Sequence, residues 1–400
     1  MPTPQYTYVI VGGGLAGASA IKEIRAHDSN GTVLLIAEEK HAPYNRPPLS
    51  KQLWFGKSKV EDIFIHSQDF YDQHQVTLAQ GVRAVKLNAR EHTVTDENGA
   101  TCGFKKLLLA TGVSPRKLSI PGGDLEEICY FRTLDDYLRM QHAVAGAQSA
   151  LVVGGGFIGS ELAAALNIHL DVTLVFPGAW LCSRVFPKSL GLAMQQHYQE
   201  RGIRILNMEM PAAITRHNGK FLSRTSAGKN VVSDLVIVGI GTLPNFDLAQ
   251  DAGLEVGDGI VVNEYLETSH PDIYAAGDNA FFPYPALAKK TRIEHWDNAL
   301  NQGTLAGRNM AGAHEPFTYQ PYFFSDLFEF GYEATGDVDA RLETFADWKK
   351  ENETGAVYFL ANGKVRGVMM CNVSDKMAAA RELIRKGGQV SPESLRGRIR

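Results

Sequence analysis

The 400-residue chain is poor in cysteine. It has four, Cys102, Cys129, Cys182 and Cys371, and no two are close in sequence. With no C-x-x-C pair, a metal cluster built on thiols is not expected, and so few unpaired thiols suit a reducing compartment. Long hydrophobic runs are missing as well. No stretch approaches the ~18 apolar residues of a membrane helix, and Met1–Tyr8 has neither a charged start nor an apolar targeting core. A cytoplasmic protein without a membrane span is expected. An excess of charge of one sign is also absent: 40 Lys and Arg against 44 Asp and Glu leave a net charge of −4. No global basic field points to nucleic acid as the main partner.

Glycine is abundant instead, 39 residues of 400, above the usual share of about 7%. There is no G-x-y period, so the excess serves turns and close backbone approach rather than a collagen helix. Its distribution is informative. Tyr8–Val11 is a short β-branched run that reads as a buried parallel strand. Gly12-Gly13-Gly14-Leu15-Ala16-Gly17 follows, then a helix from Ala18, then a second buried strand, Val33–Ile36. That is a βαβ unit. The pattern recurs 142 residues later. Ala150–Val153 leads into Gly154-Gly155-Gly156-Phe157-Ile158-Gly159, a helix, and the strand Val172–Val175. This is a duplicated fold unit, since a solenoid repeats at far shorter periods. Further strands end in glycine at Gly112, Gly241 and Gly277.

Gly12, Gly14 and Gly17 form G-x-G-x-x-G between a strand and a helix. The first glycine makes the tight turn, the second admits a pyrophosphate, and the third lets helix and strand pack closely. The helix N-terminus supplies free N–H groups and the positive end of a dipole. The acid expected on the ribose about 20 residues on is Glu38, just past Val33–Ala37. Gly154, Gly156 and Gly159 repeat the argument without the acid: Pro177 and Gly178 stand where Glu38 and Glu39 stand in the first copy. Arg184 either faces a 2′-phosphate there or anchors its loop. Two such sites imply two dinucleotides. FAD with NAD is the economical pair, because hydride passes from one to the other; NADP is not excluded, and the lack of an arginine cluster favours NADH.

At this level the chain resembles a known family. Tyr44-Asn45-Arg46-Pro47-Pro48-Leu49-Ser50-Lys51-Gln52-Leu53-Trp54 resembles the segment after the second strand in FAD-dependent ferredoxin and rubredoxin reductases. Ala110-Thr111-Gly112, Gly239–Asn245 and Ala276-Gly277-Asp278 fit the same family. The likeness to apoptosis-inducing-factor-like proteins is closer, adding Gly156–Leu162, Phe324–Leu327 and Gly331–Ala334. It covers essentially the whole chain, in order. The resemblance implies an α/β protein with two Rossmann-like domains of the glutathione-reductase type. Residues 1–118 and 243–319 would form the FAD domain, 119–242 an inserted NAD(P) domain, and 320–400 a small C-terminal α+β domain. The last also reads from the residues: Asn362-Gly363 joins two apolar runs as a hairpin turn, and residues 375–386 read as a helix closed by Gly387-Gly388.

The resemblance also implies roles. Arg46 and Lys51 would lie near the flavin ring, with Lys51 close to N5, where a fixed cation offsets the negative charge that hydride brings. Glu161 would pair with Lys51. Lys51 and Glu161 are therefore the catalytic candidates. Ala110, Thr111, Gly112, Gly241 and Gly277 would line the nucleotides, and Asp278 would bind the ribityl chain. His295 and Trp296 open a helix over residues 295–312 whose N-terminus would face the flavin edge. Phe157 would stack or gate at the nicotinamide position. Phe157, His295 and Trp296 each retain a plain packing role as the other reading. Cys371 stands where apoptosis-inducing factor has a tryptophan, which would leave a wider site.

Residues 38–60 hold no cysteine, nor does the region around His295. A redox disulfide or a cysteine sulfenic acid mechanism is thereby excluded. Electrons would leave reduced flavin directly. The reading is an FAD-dependent NAD(P)H oxidoreductase serving an iron–sulfur carrier of ferredoxin or rubredoxin type. The alternatives are NADH:quinone (diaphorase) activity, and a redox-sensing interaction protein like apoptosis-inducing factor. Residues 376–400 hold seven Lys or Arg against Glu382 and Glu393. That is either a docking patch for an acidic carrier or a solvated tail.

Overall fold

A computed structural model describes residues 3–399 of the chain. Met1 and Pro2, which begin the expected first domain, and Arg400 of the basic tail lie outside the described residues. The chain divides into two compact units. One comprises residues 1–45, 59–114 and 243–321; the other comprises 46–58, 115–242 and 322–400.

The first unit is built on a mostly parallel sheet. Gln5–Val11 is its centre, paired in parallel with Val33–Ala37 on one side and Thr101–Leu109 on the other. Val76–Gln80 extends the sheet beyond Val33–Ala37. The long strand Thr101–Leu109 shares its far edge between two partners. Its start pairs antiparallel with Thr93–Asp96 and its end pairs in parallel with Ile273–Ala275. Val33–Ala37 is buried at every position, as an unalternating β-branched and leucine-rich run requires when both sheet faces are covered. The helix Leu15–His27 packs closely on Trp296–Met310 through small residues, and the Arg308 guanidinium on the second donates to Glu23 on the first. A Cβ on Gly303 would lie 2.2 Å from the Ala16 carbonyl oxygen, and one on Gly307 would lie 2.5 Å from that of Ala20. The two backbones therefore approach more closely than side chains would allow.

The second unit repeats the plan. Its parallel sheet runs Arg204–Asn207, Asp171–Phe176, Ser149–Val153, Leu235–Val238, Cys129–Tyr130. Leu151, Val153, Val175, Val236 and Val238 form its core with Phe221 and Val231 from a three-stranded antiparallel sheet. The unit also holds an antiparallel sheet in the order Tyr322–Leu327, Phe330–Gly336, Lys364–Cys371, Thr354–Ala361, Glu343–Lys350. The helix Met377–Lys386 packs on two of its strands. Asn362 and Gly363 both take positive φ, 52° and 67°, which is the type I′ turn that an Asn-Gly hairpin favours. Among the described residues no helix is long and apolar enough to cross a membrane.

Candidate functional site

In the first unit the strand Gln5–Val11 ends on Gly12, at φ +124°. A Cβ there would meet the Ala110 carbonyl oxygen at 2.1 Å, and one on Gly17 would meet that of Gly12 at 2.4 Å. Nothing lies within 4 Å of a Cβ on Gly14. The first and third glycines are thus forced by crowding, and the second faces open volume. The helix Leu15–His27 starts at Gly14 with no side-chain cap, which leaves its first N–H groups directed at that volume. Glu38 is exposed at the end of Val33–Ala37, while its neighbour Glu39 accepts a hydrogen bond from Tyr44.

The wall of this site is a hydrogen-bonded lattice. The Ala110 N–H donates to Val11, and the Thr111 hydroxyl donates to the Asn245 carbonyl. Gly112, at φ +63°, accepts from the Asn245 N–H. Asn279 is fully buried and donates to Leu109 and to the Thr111 hydroxyl. Gly277, at φ +92°, donates to Gln302 Oε1. Asp278 is half-buried, and its carbonyl accepts from Arg292. Asn279 Oδ1 and Gln302 Nε2 are buried with no protein partner, as atoms reserved for a ligand or an ordered water are. His295 stands at the N-cap position of the helix Trp296–Met310 without a side-chain cap, and burial pushes its imidazole down to about 4. Trp296 donates to Asn45 Oδ1 at 2.8 Å.

The second unit reproduces the turn. Gly154 takes φ +117°, and a Cβ on it would lie 2.2 Å from the Gly239 carbonyl oxygen; one on Gly159 would lie 1.8 Å from that of Gly154. Gly156 again has nothing within 4 Å, and again no side chain caps the helix, here Phe157–Leu166. The Gly12 N–H donates to Ile36 and the Gly154 N–H donates to Val175, both at 2.8 Å. That equivalence sets Pro177 opposite Glu38, and both are exposed. Gly241, at φ +102°, accepts from the Arg116 N–H. Arg184 is exposed, and its carbonyl accepts from the Ala340 N–H, so its loop is tied to the connection between Phe330–Gly336 and Glu343–Lys350.

Beside this second loop lies a buried ion pair. Lys51 Nζ is 3.1 Å from Glu161 Oε1. Lys51 closes the short helical turn Pro47–Ser50, and Glu161 stands just past the first turn of Phe157–Leu166. The exposed Asp326 lies 3.9 Å from the same ammonium, and the Phe324 ring lies 4.6 Å from it. Two serines that the sequence did not single out as site residues, Ser50 and Ser325, also donate to Glu161. Arg46 donates to the Arg132 carbonyl. The Phe157 ring is 5.4 Å from Phe323 and 6.4 Å from Tyr332, so it sits in an aromatic cluster. Cys371 is fully buried, paired across the sheet with Tyr332.

All four cysteines are buried and free. Burial pushes the Cys129 and Cys182 thiols up to about 12 and raises those of Cys102 and Cys371. A thiol, not a thiolate, is a poor nucleophile and a poor redox relay. No group of three His, Cys, Asp or Glu able to hold a metal ion occurs among the described residues. In the basic tail, Lys386 and Arg385 pair with Glu382, and the Arg396 guanidinium lies over Phe345.

Known proteins share this architecture. Residues 6–303 match the family model of pyridine nucleotide-disulphide oxidoreductases, and residues 306–356 match that of the C-terminal part of mitochondrion-associated apoptosis-inducing factor. The chain is 32% identical to apoptosis-inducing factor 1 of Dictyostelium discoideum over 96% of its own length and 79% of the relative's. It is likewise 32% identical to the ferredoxin–NAD(+) reductase component of the anthranilate 1,2-dioxygenase system of Burkholderia cepacia, over 97% and 96%. The solved putidaredoxin reductase, in its covalent complex with putidaredoxin, superposes with a TM-score of 0.90 at 29% identity over 98% and 95%. Both glycine turns fit the dinucleotides that this family uses, FAD and NAD(H), since each leaves open volume under uncapped helix N–H groups. The chain belongs to the pyridine nucleotide-disulphide oxidoreductase family, in the branch that joins ferredoxin reductases to apoptosis-inducing factors.

Proposed function

We propose that the chain is a cytoplasmic FAD-dependent NADH oxidoreductase that delivers electrons to an iron–sulfur carrier protein. One observation carries the reading. The dinucleotide turn occurs twice, with an acid at one ribose position and none at the other, and a buried Lys51–Glu161 pair stands beside the second. FAD is assigned to 1–118 and 243–319, NAD(H) to 119–242, and 320–400 forms the C-terminal module. When bound, the nicotinamide supplies a hydride, which the flavin accepts and returns as electrons.

The residues divide the work. Gly12, Gly14 and Gly17 hold the flavin pyrophosphate, Glu38 its ribose, and Asp278 the ribityl chain. Gly154, Gly156 and Gly159 hold the nicotinamide pyrophosphate. Arg46 and Lys51 face the flavin ring, where a fixed ammonium offsets developing negative charge, and Glu161 keeps that ammonium in place. His295 stays neutral at physiological pH, so the helix it opens presents its dipole to the ring edge without an added proton. With every thiol buried and protonated, the chain's cysteines would offer no relay for electrons from a bound flavin. The relatives named ferredoxin–NAD(+) reductase support a protein acceptor, and the basic C-terminal segment suits an acidic one. The free buried thiols accord with the cytoplasm.

Anaerobic stopped-flow mixing with NADH and NADPH tests this, followed by mixing with oxidised ferredoxin, rubredoxin or a quinone. NADH is expected to reduce the flavin faster than NADPH, and an iron–sulfur carrier to reoxidise it. A flavin that neither nucleotide reduces overturns the reading. The match of 306–356 to the apoptosis-inducing-factor module favours a second reading, a redox sensor. A reduced form that persists in air and that no carrier discharges would select it.

A further inference from the structure

Glu161 is held by more than Lys51. The Ser325 hydroxyl donates to Oε1 at 2.5 Å, and the Ser50 hydroxyl donates to Oε2 at 2.6 Å. All four side chains are over nine-tenths buried. The serines come from separate elements of the unit. Ser50 ends the turn Pro47–Ser50, and Ser325 lies in the strand Tyr322–Leu327, paired with Tyr332.

A glutamate side chain has three rotatable bonds, and a buried carboxylate turned away from its cation would leave both charges unpaired. Here each carboxylate oxygen accepts a hydrogen bond from a serine hydroxyl, and Oε1 also faces the ammonium. Hydrogen bonds to an ionised acceptor are short and strong. Two of them on opposite oxygens fix the plane of the carboxylate, so that rotation of any one bond breaks at least one contact. Both serines donate to Glu161, so each would act on Lys51 through that carboxylate.

We propose that Ser50 and Ser325 are positioning residues that clamp the Glu161 carboxylate against Lys51, making the C-terminal sheet a working part of the hydride-transfer site. The proposal rests on the nicotinamide-to-flavin reading above. Ser325 is the sharper test, because it is contributed by the segment 322–400 that the glycine turns do not need.

The holoenzyme variants Ser325→Ala, Ser325→Thr and Ser50→Ala are compared with the parent, each alone and in a Glu161→Gln background. Anaerobic stopped-flow gives the limiting rate of flavin reduction and the NADH dissociation constant separately. Loss of a hydrogen bond to a charged group predicts about a tenfold lower limiting rate for Ser325→Ala, with the dissociation constant changed less than about twofold. Ser325→Thr, which keeps the hydroxyl, restores the rate. With Glu161→Gln the serine substitution changes the rate less than about twofold, because no carboxylate remains to orient. Urea unfolding of the same proteins reads the coupling without turnover: the midpoint shift of Ser325→Ala shrinks in the Glu161→Gln background. An unchanged limiting rate, an undiminished effect without the carboxylate, or strictly additive urea shifts overturns the proposal. If Ser325→Ala does not fold, Ser50→Ala and Ser325→Thr decide by the same criteria. If NADH fails to reduce the parent, the functional reading fails, and the urea cycle still decides the clamp.

Discussion

The two nucleotide turns are alike down to single hydrogen bonds, and they differ where the ribose would lie. In both, the first glycine is wedged under a carbonyl at about the same distance, and its N–H reaches the next strand at 2.8 Å. In both, the middle glycine faces open space and the helix is uncapped. Beyond the strand end, one copy carries Glu38 and the other Pro177. Backbone chemistry that grips pyrophosphate is therefore duplicated, while side-chain chemistry that chooses a ribose is not. A second contrast follows from the helices. The first copy has Ser19 in its helix, donating to the Leu15 carbonyl. The second has Glu161 at the equivalent place, bound to Lys51. A site that only holds a nucleotide needs nothing charged there; on the proposed reading the fixed ion pair serves the copy where hydride would leave a nicotinamide.

Gly12→Ala and Gly154→Ala break the comparison most severely. Each Cβ would sit about 2 Å from a backbone oxygen at a φ that L residues avoid. The proposal expects Gly12→Ala to purify without flavin. It expects Gly154→Ala to keep the flavin absorbance and to bind NADH more than about tenfold more weakly by titration. Loss of flavin from Gly154→Ala alone would reverse the assignment of the two sites.

Lys51→Met tests the pair that only the second copy has. Removing one partner strands a buried carboxylate, a loss of about 3–5 kcal/mol, readable as a lower urea midpoint. Flavin reduction should slow as well. A variant as stable and as fast as the parent would show that the ion pair is ornamental.

These contrasts were unequally legible in the sequence. The turns could be read because their determinants are local: three glycines at fixed spacing, a strand before and a helix after. Glu38 and the empty position at Pro177 followed from the same spacing. Lys51 and Glu161, 110 positions apart, came through resemblance alone. Ser325 and Ser50 carried no mark as site residues, because a serine on a strand or turn acquires its meaning only from what the fold brings against it. Asn279 and Gln302 escaped for a similar reason. Their amides matter as buried partners of Thr111 and Gly277, and burial of a polar side chain is a tertiary fact. The glycines of Trp296–Met310 read as weak helix formers, yet Gly303 and Gly307 are what permit the close contact with Ala16 and Ala20.

Pro177→Glu sharpens the ribose contrast directly. It places in the second copy the acid that the first already has, at an exposed position equivalent by hydrogen bonding. An acid there accepts from a 2′-hydroxyl and repels a 2′-phosphate. The expected outcome is a preference for NADH over NADPH increased about tenfold, or ~1.4 kcal/mol, measured as the ratio of kcat/KM values. An unchanged ratio would mean that the ribose is read elsewhere.

The smallest effect separates the units by acidity. In the first, burial holds His295 at about 4 against a usual 6.5, with Glu294 opposing. The unfolded chain therefore takes up this proton first, so the contribution is complete above pH 6.5 and falls as the pH drops toward 4. In the second, burial alone would raise Asp234. The Lys220 ammonium, the Ser149 hydroxyl and the Gln148 N–H overcome it and hold the carboxyl at about 2. That contribution is complete above about pH 4, the unfolded value, and is lost as the pH falls toward 2. His295→Gln should flatten the upper window and leave the lower one intact; Asp234→Asn should do the reverse. Urea unfolding across pH, with hydrogen exchange followed peptide by peptide, assigns each window to its unit. If one substitution flattens both windows, the two units do not titrate independently, and the likeness of the two turns extends to how the molecule comes apart.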